Sequence, residues 1–236
     1  MLAARVKATV MEDNKMLSYI EDVLENMPTG WLSLTTHRLD IYDEKLAKKQ
    51  FLEQFEALFN QNNSECLALN ALPTAYDYIR LGHPLSCVLE WAIARLNNLQ
   101  TESVISFASQ TAPILAVLRK NLLDGKNTQI CYAGELPAFF NVDILQGIYG
   151  YTFVLKHVEN VAAISAFDGS TIFVSQQDEI SKSELPPAID FSVNLHAQYG
   201  SVLIVNAEGN ESYISEIQHF RRRETIAMTP VNCLAA

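Results

Sequence analysis

The sequence predicts an α/β fold: a mainly parallel sheet with helices on both faces, preceded by a helical N-terminal segment. Two observations carry this. From residue 86 onward, short apolar runs alternate with helix-period stretches, the pattern of strands covered on both sides. Before that point, apolar residues recur only at three- and four-residue steps. Composition fits a folded chain with a real core, since 49% of the 236 residues are hydrophobic and 19% are charged.

The elements follow in order. Met16, Leu17, Ile20, Val23, Leu24 and Met27 mark an amphipathic helix over 11–27, stopped by Pro28 and Gly30. A polar turn around Thr35 to Arg38 leads to Asp43, which can cap a second helix bearing Leu46, Leu52, Phe55, Leu58 and Phe59 on one face. These form a helical segment over 1–69, ahead of an α/β domain over 70–236. Within that domain Ser86 begins a helix lined by Leu89, Ala92, Ile93 and Leu96. A strand over 104–108 runs into a helix over 111–122, broken at Asp124 and Gly125. Strand 129–133, helix 142–148, and strands 152–155 and 171–175 continue the alternation. Pro186 and Pro187 open a helix that runs to Tyr199 and closes at Gly200, and 202–205 is the last strand.

Several function classes are excluded. A net charge of −10 argues against nucleic acid, because phosphate backbones are held by clustered Lys and Arg. The one basic run, Arg221, Arg222 and Arg223, reads as a solvated face, with an anionic group as the alternative. No apolar run approaches the roughly 20 residues of a membrane span, and residues 1–10 lack a signal-peptide core. The expected location is the cytoplasm, with Cys66, Cys87, Cys131 and Cys233 as reduced thiols. Neither the cysteines nor His83, His157, His196 and His219 stand at metal-ligand or catalytic spacing, so no metal is expected. Phosphate-loop, nucleophile-elbow and zinc-protease motifs are absent. Cys87, beside Trp91 on an apolar helix, reads as core, and His83 before Pro84 as a turn residue.

The stretch Tyr78-Ile-Arg-Leu-Gly-His-Pro-Leu85 resembles the Tyr-x-Arg-x-x-Asn-Pro-Thr signature of the pyridoxal-phosphate (PLP) enzymes of Cys/Met metabolism, such as cystathionine γ-synthase, the cystathionine lyases and methionine γ-lyase. The likeness continues in register. Ser106-Phe-Ala-Ser-Gln-Thr-Ala-Pro113 is similar to the family's Ala-Phe-Ser-Ser-Gly-Met-Ala-Ala turn, and Asp124-Gly125 to its Pro-Gly-Asp turn. Thr171-Ile-Phe-Val174 resembles the strand before Glu-Thr-Pro-Ser-Asn-Pro, and Val202-Leu-Ile-Val-Asn206 the strand ending in Val-Asp-Asn-Thr.

The resemblance implies a PLP-transferase-like large domain, and it also exposes what this chain lacks. The family's chemistry rests on a lysine that forms an imine with the cofactor, in a Ser-Ala-Thr-Lys stretch. Here that stretch reads Ala227-Met-Thr-Pro-Val231, which puts Val231 at or beside the lysine's place, and no lysine follows Lys182. The aspartate that keeps the pyridine nitrogen protonated maps to Asn206, which has no charge to do so. The phosphate-binding Gly-Met pair becomes Gln110-Thr111, the stacking tyrosine maps to Pro137, and the Ser-Asn-Pro asparagine maps near Glu179. Tyr78 and Arg80 are retained. In the family they reach a neighbouring subunit's phosphate; the plainer reading is that Arg80 pairs with an acid and Tyr78 packs. Ser109 either meets an anion or caps the following helix. The sequence also ends where the family's smaller C-terminal domain would begin, so substrate selection is expected to be missing with the imine.

The expectation is a non-catalytic PLP-transferase-like protein that works by binding: to itself as a homo-oligomer, to a protein partner, or to a small anionic ligand. No cofactor is expected. If a phosphate ligand or non-covalent PLP binds at all, Tyr78, Arg80, Ser109 and Asn206 are the vestigial contacts. The alternative is a PLP-dependent sulfur amino-acid lyase or transferase drawing a lysine from Lys120, Lys126 or another chain. A third reading, an α/β hydrolase or transferase without PLP, has no nucleophile–base pair behind it.

Overall fold

The computed structural model describes residues 2–32, 44–73, 75, 82–177, 185–206, 209–224 and 227–236, with side chains in the first two helices from residues 10 and 48 onward. Tyr78, Arg80, Glu179, Lys182, Asp43 and the 35–38 turn lie outside the described residues.

The N-terminal part is helical: α1 (Leu2–Asn26), α2 (Glu44–Gln61) and the short α3 (Cys66–Asn70). Their inner faces meet α4 (Pro84–Leu96) through an aromatic cluster of Tyr19, Phe51, Phe55, Phe59 and Trp91, with edge-on contacts such as Phe55 to Trp91 at 5.2 Å. The same apolar core continues into Val104, Val202 and Ile204 of the sheet, so α1 and α2 help to cover one sheet face.

The sheet has six strands: β1 (Val104–Phe107), β2 (Thr128–Ala133), β3 (Val154–His157), β4 (Ser170–Gln176), β5 (Phe191–His196) and β6 (Gly200–Val205), in the order β1-β6-β5-β4-β2-β3. The β2–β3, β2–β4 and β4–β5 pairs are parallel, while β6 is antiparallel to both β1 and β5. Five strands therefore point one way and β6 the other. The second face is covered by α5 (Ala112–Asp124), α6 (Val142–Gly147) and α7 (Glu211–Glu224), which join Ile105, Phe107, Ile130, Ile172, Phe191 and Leu203 in one core. A last short helix, α8 (Pro230–Ala235), packs Cys233 into the first core.

Two expectations are corrected. Residues 187–199 do not form a helix: β5 occupies Phe191–His196, and a tight turn returns the chain into β6. Phe191, Val193 and Leu195 alternate with Ser192, Asn194 and His196, a strand period that the proline pair before it obscured. Strand 152–155 shifts to Val154–His157. The hairpin needs glycine at Gly200. There φ is +116° and a Cβ would stand 2.1 Å from the carbonyl oxygen of Phe107, so the turn packs directly on the end of β1.

Candidate functional site

The carboxyl ends of the five parallel strands are where open α/β sheets hold ligands. At this edge a cleft of about 400 Å³ is bounded by Ser109, Gln110 and Thr111 after β1, Pro137 and Phe139 after β2, and Gln198 and Gly200 in the β5–β6 turn. The structure thus brings together four positions picked out by the resemblance: Ser109, Gln110, Thr111 and Pro137. Ser109 and Gln110 are already committed. The Ser109 hydroxyl accepts from the backbone N–H groups of Thr111 (3.3 Å) and Ala112 (3.2 Å), so it caps α5 and occupies the amides that would otherwise face an anion. Gln110 donates its side-chain amide to the carbonyl of His196 at 2.8 Å, and Ser201 donates its hydroxyl to the carbonyl of Ser109 at 2.6 Å. These bonds pin the turn after β1 to the β5–β6 hairpin.

The aromatic side chain at the cleft is Phe139, not the mapped Pro137; it is 91% exposed while its neighbour Phe140 is buried. The paired phenylalanines were the available signal, one for the core and one for the rim. Among the described residues lining the cleft, none is charged.

Asn206 is not at this site. Because β6 runs antiparallel to β1, Ser201 lies beside Phe107 and Asn206 lies past the opposite end of the strand. The five steps from Ser201 to Asn206 span about 17 Å. There Asn206 donates its amide to the carbonyl of Ile189 and, with Asn210 and Asp190, holds the β4–β5 connection. The likeness of residues 202–206 to a strand carrying a cofactor aspartate at the ligand edge therefore fails on direction, which a strand's own residues do not encode. Val231 is 64% exposed on α8 and does not line the cleft. Lys120 and Lys126 lie at and beyond the far end of α5. Lys120 is some 12 Å of helix from Ala112, and it is bonded to Asp124 at 2.6 Å.

The concentrated electrostatics lie elsewhere. Glu90, fully buried on α4, bonds Lys48 of α2 at 2.6 Å and Arg221 of α7 at 2.7 Å, and accepts from the backbone N–H (2.9 Å) and hydroxyl (2.8 Å) of Ser106. Arg221 also donates to the Ser106 carbonyl at 3.1 Å. Ser106 belongs to β1, whose only strand neighbour among the described residues is β6. The ion triad thus takes the place of a further strand along that edge. Burial alone would raise the Glu90 pKa, but Lys48, Arg221 and the Ser106 donors hold it down at about 2. Reading Arg221, Arg222 and Arg223 together as a solvated face is corrected: Arg222 and Arg223 are exposed, Arg221 is buried. Beside the triad, His83 caps α4. Its Nδ1 accepts from Ser86 N–H, and its Nε2–H donates to the Met228 carbonyl at 2.7 Å. Burial lowers its pKa, partly opposed by Met228 and Glu90. Cys87 is buried beneath this network, as its place on the apolar helix implied.

No protein-family model and no curated protein matches the sequence. Similar solved structures include cystathionine γ-synthase from Xanthomonas oryzae pv. oryzae (11% identity, TM-score 0.47, covering 70% of this chain and 52% of that one). Cystathionine γ-lyase from yeast matches at 14% identity and TM-score 0.43, covering 67% and 50%. A putative O-acetylhomoserine (thiol)-lyase from Campylobacter jejuni, bearing N′-pyridoxyl-lysine-5′-monophosphate, matches at 13% identity and TM-score 0.46, covering 89% and 64%. The chain thus spans about half the length of the two cystathionine enzymes. The similarity is one of fold, to PLP-dependent enzymes of Cys/Met metabolism, at low identity and over part of each chain.

The described residues do not fit PLP at the cleft. They place no lysine, no carboxylate and no guanidinium there, and the amides of Thr111 and Ala112 at the start of α5 are already bonded to Ser109.

Proposed function

We propose that this chain is a non-catalytic protein on a PLP-transferase-like scaffold, cytoplasmic, acting by binding to itself, to a protein partner or to a small anionic ligand. The observation that carries the reading is the cleft at the carboxyl ends of the strands, whose described lining holds no charged residue. Imine formation needs an amine, and proton transfer to a substrate needs a titratable group within hydrogen-bond reach. The described lining supplies neither. Asn206 at the opposite end of the sheet, Val231 exposed on α8 and Lys120 bonded to Asp124 all support the same conclusion.

Self-association is supported by the other edge of the sheet. All four residues of β3 are exposed, and its only strand neighbour among the described residues is β2. Exposed Val154 and Leu155 lie on this strand, and exposed Ile148 and Tyr149 lie in the connection leading to it. Edge strands with apolar exposure are pairing sites unless something covers them. Tyr78 and Arg80, which the family resemblance puts at a subunit interface, belong to the same proposal.

Two measurements test the reading. The absorbance spectrum of protein purified in the presence of PLP should lack the yellow band of an internal aldimine; such a band would favour the PLP-dependent lyase or transferase alternative. Sedimentation equilibrium should give a dimer or higher oligomer, and a monomer at micromolar concentration would remove the self-association part.

A further inference from the structure

A second concave site lies away from the sheet edge, in the groove between α5 and α7, with a volume of about 260 Å³. It shares no lining residue with the cleft. Arg119 and Lys120 enter it from α5, and Glu216, His219 and Arg223 enter it from α7 at the three- and four-residue steps that put side chains on one helix face. Phe220 forms an apolar wall.

The charges in this groove are not all balanced. Lys120 is taken by Asp124 at 2.6 Å, which raises its pKa, with a smaller contribution from Glu216. Arg119 and Arg223 have no acid partner among the described residues. That runs against the chain's own balance, since 27 acids face 17 lysines and arginines and partners are plentiful. Two guanidiniums that form no ion pair among the described residues line one small groove, which they share with the Glu216 carboxylate and the N–H of an imidazole. Planar guanidinium forks suit oxyanions with several acceptor oxygens, and a phosphoryl group accepts from two of them at once.

We propose that the α5–α7 groove binds a small phosphate-bearing molecule, with Arg119 and Arg223 as the anion clamp, His219 as a further donor and Phe220 as the wall for the uncharged part. The site does not rest on the sheet-edge reading, and the two fail separately. Inorganic phosphate is the simplest probe, titrated into the full chain by calorimetry at low salt and again at higher salt. Saturable one-to-one binding is expected, weakening as salt rises because the groove is open to solvent. The double variant Arg119→Gln, Arg223→Gln should bind at least about tenfold more weakly. Lys49→Gln, an exposed lysine on α2, should bind like the parent chain. Both variants alter exposed side chains, and a circular-dichroism melt verifies that they fold. Absence of saturable binding, or binding that the double variant leaves intact, overturns the site.

Discussion

The guanidinium of Arg221 lies 2.7 Å from the carboxylate of Glu90, 131 positions earlier in the chain, with both side chains buried. Lys48 completes the triad from a third helix, and Ser106 ties it to the outer edge of β1. One carboxylate therefore fastens α2, α4 and α7 to the strand whose end forms the sheet-edge cleft. Removing one partner of a buried pair leaves an uncompensated charge, which costs about 3–5 kcal/mol. Arg221→Met should lower the unfolding free energy from urea denaturation by an amount of that order, with a matching fall in the midpoint. Arg223→Gln, two residues on and exposed, should stay within about 0.5 kcal/mol. Equal midpoints for the two variants would show that the triad does not hold the helices.

Acid should weaken the fold through the same carboxylate. Glu90 is held at about 2 in the folded chain, below the roughly 4.3 of an unfolded glutamate. Its contribution is full above the unfolded value and is lost as pH falls from there through about 2. His83, lowered by burial, acts in the same sense from near pH 6.5 downward, because the unfolded imidazole takes up a proton before the folded one does. Denaturant midpoints measured from pH 7 to pH 3 should fall continuously. In Glu90→Gln, already weaker at pH 7, the decline below pH 5 should be shallower; an unchanged slope would place the acid sensitivity elsewhere.

Gly200→Ala tests the packing that builds the cleft. At φ +116°, and with a Cβ 2.1 Å from the Phe107 carbonyl, alanine has to displace either the hairpin or the end of β1. A loss of at least about 2 kcal/mol is expected. Alanine tolerated at no cost would mean that the turn does not sit against β1.

How much of this was legible in the sequence depended on whether the signal was local. Val104 to Phe107 could be read from its apolar run, and Ala112 to Asp124 and Thr128 to Ala133 because an apolar pattern and a glycine stop, Gly125 and Gly134, coincide there. β5 was hidden because both of its faces are buried and two prolines precede it, a combination that also opens helices. The reversed direction of β6 has no local signature, and Asn206 was therefore placed at the wrong end of the sheet. The Glu90 triad joins residues 42 and 131 positions apart. The only hint was a carboxylate between Leu89 and Trp91 on an otherwise apolar helix. Arg221 was hidden among three arginines of which only the first turns inward. Ser109 and Gln110 were correctly grouped at a turn because the resemblance and the helix start coincide there.

Restoring a lysine should not restore chemistry. Val231→Lys places an amine on an exposed position of α8, outside the cleft lining. Asn206 stays at the opposite edge, and the amides after β1 stay occupied by Ser109. Groups that act jointly are not recovered singly. Turnover of cystathionine or methionine by this variant should equal that of the parent chain, and a clear rise would show that the cleft retains more of a cofactor site than its geometry indicates.

We propose that no lysine of this chain serves an imine at the sheet edge. The most direct test is to incubate the full chain with PLP, reduce it with borohydride and map the adducts by peptide mass spectrometry. Only scattered, substoichiometric modification of exposed lysines is expected. Stoichiometric labelling of a single lysine would contradict it.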